Sequence, residues 1–266
     1  MAGGTLPVRG DVTLIAASDV LPVAAEAGAL LLRCGADVAR VEDTVARIAR
    51  AYGIEEAEIY ATPTGIFVSL GGEPHITVIK RVHHRTMALD RVSALNALSR
   101  ELATRPMEPA VALRRIQAIE EQPPPVPSWL DVPFSGLAAA AATMLVGGTL
   151  GDLFPAFLAN LVVQGGERFS RWLRLPDALN DFLAGANAVT CAMALNAWLG
   201  VSVGPVVAGG IMVLVPGIAF TAAVRDAMAG DLVSAGARAL EAALKTASLA
   251  SGVGTALYLF GGGTLL

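Results

Sequence analysis

Arg225 and Asp226 stand side by side, nine and ten residues beyond Pro216, in a stretch that is otherwise apolar. A guanidinium two helical turns past a helix break, with the Thr221 hydroxyl one turn away on the same face, has the chemistry to attract a carboxylate-bearing solute. The competing reading makes Arg225 an anchor at the cytoplasmic end of a membrane segment. Asp152 and Asp226 are the candidates for proton coupling, because an acid beside a membrane cavity binds protons more readily than one in water. Asn187, with Asn160, Gln164 and Asn196, adds uncharged polar groups where polarity is costly. Arg238, Glu241 and Lys245 are spaced three and four apart, so on one helix they pair with each other and need no substrate.

The element that must position these groups is the run Leu214-Val-Pro-Gly217. Pro216 removes a donor that the Met212 carbonyl would use in a continuous helix, and Gly217 loosens the same point. Backbone freed at membrane depth is tolerated only against protein or a water-filled cavity, so Pro216 and Gly217 mark a pathway or binding site. Around them lie charge-free runs over 132–151, 153–166, 182–224 and 246–266. At about 20 residues per crossing, and with the second run extended to the interfacial Trp172, these predict five spans near 132–151, 153–172, 179–199, 205–225 and 240–262. Gly200 to Pro205 supplies the turn between the third and fourth, with Pro205 as a helix opener. Glu167 and Arg168 are expected at the interface.

Thirteen of the nineteen Lys and Arg and sixteen of the twenty-three acids precede residue 132, so the two halves face different solvents. Only 16% of residues are charged, and mean hydropathy is +0.59; soluble domains average roughly 25% charged. A net charge of -4 leaves no basic footprint for nucleic acid. Cys34 and Cys191 are isolated thiols, expected to pack rather than to bind metal or form a disulfide. No residue pattern asks for a cofactor or a metal.

Residues 1–11 read as a loose tail, and 12–122 as a cytoplasmic α+β domain. Helical spacing covers Val20 to Arg33, Asp37 to Tyr52, Arg85 to Thr104 and Glu108 to Glu120. Between them three short β-like runs, Ile59–Ala61, Ile66–Leu70 and Ile76–Ile79, are broken by Thr62-Pro-Thr-Gly65 and Gly71-Gly-Glu-Pro74. His83 and His84 are adjacent and read as surface or capping residues. Ser69 with His75, His83 or His84 could be drawn as a hydrolytic triad, but no Gly-x-Ser-x-Gly elbow is present. The segment 123–131, starting Pro-Pro-Pro-Val-Pro127, is a stiff linker, and 132–266 is the membrane domain. If the first domain is cytoplasmic, every Lys and Arg of the later short loops falls on the cytoplasmic side, and the C-terminus faces away from it. The start of the chain lacks the features of a signal peptide. Small residues at close-packing spacing, Gly148-x-x-x-Asp152 and Gly252-Val-Gly254-Thr-Ala256, favour tight helix contacts.

Gly35-Ala-Asp-Val-Ala-Arg-Val-Glu-Asp-Thr44, the Pro63-Thr-Gly-Ile66 turn, Gly147-Gly148 before Asp152, and Leu214-Val-Pro-Gly217 through Arg225-Asp226 and Gly230-Asp231 to Arg238 together resemble the threonine/serine exporter family. Glu42, Asp43, Thr64 and Gly65 are the motif residues of the first domain. The resemblance runs from about residue 20 to nearly the end of the chain, and is to the split, YjjP-type subunit. It implies a multi-pass protein of the inner (plasma) membrane. It implies export of threonine and serine, or of succinate-type dicarboxylates, driven by the proton gradient. It also implies a small all-membrane partner subunit supplying further spans; the small-residue faces offer a homo-oligomer besides, and lipid surrounds the spans. The alternative is a membrane-tethered enzyme or regulator whose cytoplasmic domain is hydrolase-like or ligand-sensing, with the spans as anchor.

Overall fold

A computed structural model describes residues 16–71 and 76–260. The tail expected over 1–11, most of the Gly71 to Pro74 turn, and His75 lie outside these residues. The chain is predominantly helical with one small sheet, and it divides into two compact units, 1–123 with 221–238, and 124–220 with 239–266.

The first unit is built around α1 (Ala17–Arg33), which is buried nearly all round from Val20 to Leu32 rather than on one face. The reason is that α2, α4 and the sheet all pack on it. At Gly28 any Cβ would run into Ile66 of the sheet, so the glycine sets how closely helix and sheet approach. Glu26, in the middle of this helix, bonds Arg33 and Lys80, each at 2.9 Å.

Gly35, at φ +84°, turns the chain into α2 (Val38–Ala51), which Asp37 caps by accepting from the Arg40 N–H at 2.9 Å. Val41, Val45 and Ile48 face the core as their spacing requires. The three strands β1 (Ala57–Thr62), β2 (Gly65–Leu70) and β3 (Ile76–Arg81) form an antiparallel meander in that order. Thr62 pairs with Gly65, so Pro63-Thr64 is a two-residue hairpin turn. Gly65 is needed because a Cβ there would press on the Lys80 carbonyl.

Two further helices close the unit, α3 (Leu89–Thr104) and α4 (Pro109–Glu121). The former starts four residues later than its spacing predicts. Thr86 and Ala88 donate their N–H groups to the carbonyls of Arg33 and Cys34, which satisfies the end of α1 and keeps 82–88 extended.

The second unit holds α5 (Ser128–Leu145), α6 (Leu153–Trp172), α7 (Asp177–Leu199), α8 (Val203–Ile211), the first turn of α9 (Gly217–Met228) and most of α10 (Leu232–Phe260). The linker expected over 123–131 is shorter, because Pro127 pre-sets the helix entry and Trp129 to Asp131 already coil. The turn at Gly200 has φ +64°, the left-handed cap that stops α7. Glu167, expected at an interface, is covered by protein and paired with Arg171 at 3.1 Å.

Of these helices α7 alone is long and apolar enough to cross a bilayer by itself, and α8 with α9 passes as one span bent by 57°. The core combines Ala156, Ala159, Ala184, Ala188 and Ala192 with Val163, Val189, Val206, Leu214 and Leu249, whereas the bulkier Phe154, Trp172 and Trp198 point outward. Small residues inside and large apolar ones outside is the arrangement that suits lipid, where packing rather than water exclusion drives helix association.

Candidate functional site

The break that the sequence places at Pro216 is where α8 stops and α9 begins. Val215 is extended, as a residue before proline must be. Its N–H donates to the Met212 carbonyl at 3.3 Å through a 3-10 turn, and the Gly217 N–H donates to Val215 at 2.8 Å. The turn thus reuses the Met212 carbonyl left free by proline. The bend opens a cavity of about 530 Å³ within the second unit. Val215, Pro216, Gly217 and Phe220 form one wall, and the Ala242 to Ala250 face of α10 with the Thr246 hydroxyl forms the other. Binding clefts for small molecules are typically about 300–1,000 Å³ and mostly apolar, with few polar groups.

Arg225 does not line this cavity. Residues 221–238 pack within the first unit, and Arg225 reaches Asp37 at 3.0 Å with its own side chain largely exposed. Burial pushes the Asp37 carboxyl up, but the Arg40 N–H and the Arg225 guanidinium outweigh it and leave it below the usual aspartate range. Asp226, the next residue, turns inward by the roughly 100° that separates helical neighbours. Its carboxylate lies 2.9 Å from Arg238 Nε, and both side chains are almost fully buried. The pair is a coulombic contact without good hydrogen-bond alignment at Arg238 Nε, and the Val38 N–H also acts on the Asp226 carboxylate. Arg238 Nη2 separately donates to the Ala36 carbonyl at 3.0 Å.

The short spacer Gly230-Asp231 makes this possible. Gly230 at φ +88° ends α9, and the Asp231 carboxylate accepts from the Ser234 N–H at 3.1 Å to start α10. Four separated stretches, Gly35 to Asp37, Arg225-Asp226, Gly230-Asp231 and Arg238, therefore meet in one clasp at the entry of α2.

The other sequence candidates disperse. Glu42 accepts the Ala61 N–H at 2.9 Å and ties α2 to β1. Burial pushes its carboxyl up, with Asp231 and Asp43 adding to the effect. Asp43 is exposed, and the Thr64 carbonyl accepts from Val82. Thr221 is exposed on α9, and Asn187 packs against Gly166. Arg238 and Lys245, expected to pair with Glu241 along the helix, also reach carboxylates of other helices: Arg238 meets Asp226, and Lys245 lies 3.8 Å from Asp181. His83 and His84 are exposed after β3, and Ser69 sits in mid-strand opposite Glu58 and Thr77.

Asp152 has a structural task. It accepts from Thr149 N at 2.8 Å, Thr149 Oγ1 at 2.9 Å and Ser202 N at 2.8 Å, which joins the turn before α6 to the start of α8. Those donors hold its carboxyl down at about 2. Asp152→Asn is expected to cost about 1.5–3 kcal/mol at neutral pH, the range for hydrogen bonds to a charged group. Because the folded value is depressed, this contribution is complete above the unfolded value near ~4 and is lost as pH falls through about 2. Thermal unfolding of the detergent-solubilised protein should show the gap to wild type closing over that interval.

Spacing along the chain did not reveal Asp37 as a partner, nor Asn180 and Asp181 as buried polar residues at the start of α7. The signal for Asp37 was its place just before an amphipathic run, an N-cap position; for Asp181 it was only a charge next to a long apolar segment.

Comparison with known proteins gives a consistent answer. A family model described as "Putative threonine/serine exporter" matches residues 22–260. A "Probable threonine/serine exporter" of Mycobacterium tuberculosis (strain ATCC 25618 / H37Rv) is 25% identical over 256 residues, 95% of this chain. The chain spans about half of that relative, 48% of its length. No solved structure matches it.

Proposed function

This chain belongs to the threonine/serine exporter family, and we propose that it is one subunit of a secondary exporter of small carboxylate solutes, driven by the proton gradient. Threonine and serine, or a succinate-type dicarboxylate, are the substrates, and a small all-membrane partner supplies the further spans. Helices α5, α6, α7, the bent pair α8 and α9, and α10 are the five crossings of the inner (plasma) membrane. The N-terminal domain is cytoplasmic, and the C-terminus lies on the opposite side.

The observation that carries this reading is the 57° break with a cavity at its apex. A continuous helix would cross lipid at lower cost, and an anchor needs no cavity. The α9 N-terminus begins at the cavity wall, so its first N–H groups and the positive end of its dipole favour a solute carboxylate there. Arg225, engaged with Asp37, anchors the cytoplasmic end of the pathway and leaves recognition of the carboxylate to the backbone.

Vesicles loaded with labelled threonine, serine or succinate, with and without the partner subunit, test the reading. Efflux of at least one solute is expected, reduced about tenfold or more by Pro216→Ala, since straightening the helix removes the cavity wall. Absence of efflux for all three, or full efflux in the variant at normal expression, would overturn it.

A further inference from the structure

Asp181 is a carboxylate inside the helix bundle, one turn into α7, with its side chain 9% exposed. Taking such a charge out of water is costly unless a counter-charge is held close and hydrogen bonds complete the shell. The counter-charge here is Lys245 of α10, whose Nζ is 3.8 Å away, at the limit of an ion pair, and whose side chain is 37% exposed. One end of the pair is locked in the bundle, and the other is a flexible amine with room to leave.

The local packing fixes the carboxylate and not the amine. One turn beyond Asp181, Gly185 abuts the Leu249 carbonyl, one turn beyond Lys245, so α7 and α10 run parallel and touch at backbone level beside the pair. Glu167 of α6 and Asp177 of α7 are the other charges that act on Asp181, and α8 brings no ionisable side chain. Glu167 is itself engaged by Arg171. A second observation comes from Asn180. It is 8% exposed, and its Oδ1 is buried without a hydrogen-bond partner among the described residues. Asn180 shares a face with Asn187 two turns later, and Asn187 lies against Gly166, next to Glu167. Asn180 thus adds an unused buried acceptor to the start of α7, on the face next to the one that carries Asp181.

We propose that Asp181 is a proton-binding carboxylate of the membrane unit, neutralised alternately by Lys245 and by a proton. In one state the Lys245 ammonium pairs with the carboxylate. In the other, Lys245 withdraws to its exposed side and a proton from water binds an Asp181 oxygen, leaving a neutral carboxyl. Charge inside the bundle is balanced in both states. The use of that proton to drive solute rests on the exporter reading; its binding does not.

Two measurements separate the two ideas. Dicyclohexylcarbodiimide reacts with protonated carboxyl groups in apolar surroundings, and mass spectrometry of the full chain in detergent locates the adduct. Labelling of Asp181, corrected for the decay of the reagent itself at each pH, is expected to fall roughly tenfold for each pH unit above its midpoint. Lys245→Met should move that midpoint upward by at least one unit, because the competing cation is gone. No labelling of Asp181, labelling independent of pH, or suppression by sodium ions at fixed pH would each overturn the proposal, the last by making the site one for a metal cation. In proteoliposomes, Asp181→Asn should keep solute exchange at equal pH and lose accumulation driven by a pH gradient. Unchanged gradient-driven accumulation would also overturn it. If wild type exchanges no solute, the exporter reading fails while the labelling result still decides the fate of Asp181.

Discussion

Arg238→Ala is expected to destabilise the first unit by about 3–5 kcal/mol, because it strands the Asp226 carboxylate in a buried position and removes the donor to Ala36. Asp226→Ala should cost a similar amount by stranding the guanidinium. Replacing both together, Asp226→Leu with Arg238→Met, should cost far less than the sum, since two well-packed apolar side chains carry no desolvation penalty. The Arg238 charge and the Val38 N–H are what the buried Asp226 carboxylate has to balance its own charge. The neighbouring pair behaves differently. Arg225 is largely exposed, and Arg225→Ala should cost no more than about 1 kcal/mol and lose even that at high salt. Chemical unfolding of the four variants at low and high ionic strength checks the ranking. Equal losses for Arg225→Ala and Arg238→Ala would contradict it.

The second large effect is expected at Gly252 and Gly185. A Cβ on Gly252 would overlap the Phe182 carbonyl and one on Gly185 the Leu249 carbonyl, both backbone atoms that cannot swing aside. Gly252→Ala must therefore separate α7 from α10, and overpacking of this kind costs about 1–3 kcal/mol or more. A substitution at Gly254, two residues along the same helix, meets open space. There Gly→Ala should be neutral or should stabilise by about 0.5–1 kcal/mol through helix propensity. Midpoints of thermal unfolding in detergent for the two alanine variants should move in opposite directions, or at least only the Gly252 variant should fall.

The contrast between those glycines shows what was legible in the chain and what was not. Gly200 punctuates a helix, and local spacing announced its turn; Gly185 and Gly252 matter only through the helix that lies against them. In the same way α2, the hairpin at Thr62 to Gly65 and the break at Pro216 follow from local rules of period, turn chemistry and a missing donor. Burial of α1 on all sides did not, since Ala24, Ala25 and Ala29 carry no strong sign of a face until three neighbours cover them. For Arg238, helical spacing is the only geometry a chain displays, and it offers Glu241 alone. Its partner Asp226 sits twelve residues earlier, and a reversal at Gly230 brings the two together. For the candidate site, residue types at Pro216, Gly217 and Asp226 were readable, but the separation of the cavity from Arg225 was a matter of packing.

The first unit is discontinuous, as residues 221–238 complete what 1–123 begins. A ribosome releases the first stretch nearly a hundred residues before it releases the second, and domains that emerge early tend to fold early. During that interval the Ala36 carbonyl has no guanidinium to accept from, and the entry of α2 lacks Arg225 and Arg238. The nascent first unit can form its core around α1 but cannot close its clasp until the intervening helices have been made. Completion of the first unit therefore reports that the chain has been synthesised past α9, and a truncated product ending among those helices carries an open clasp.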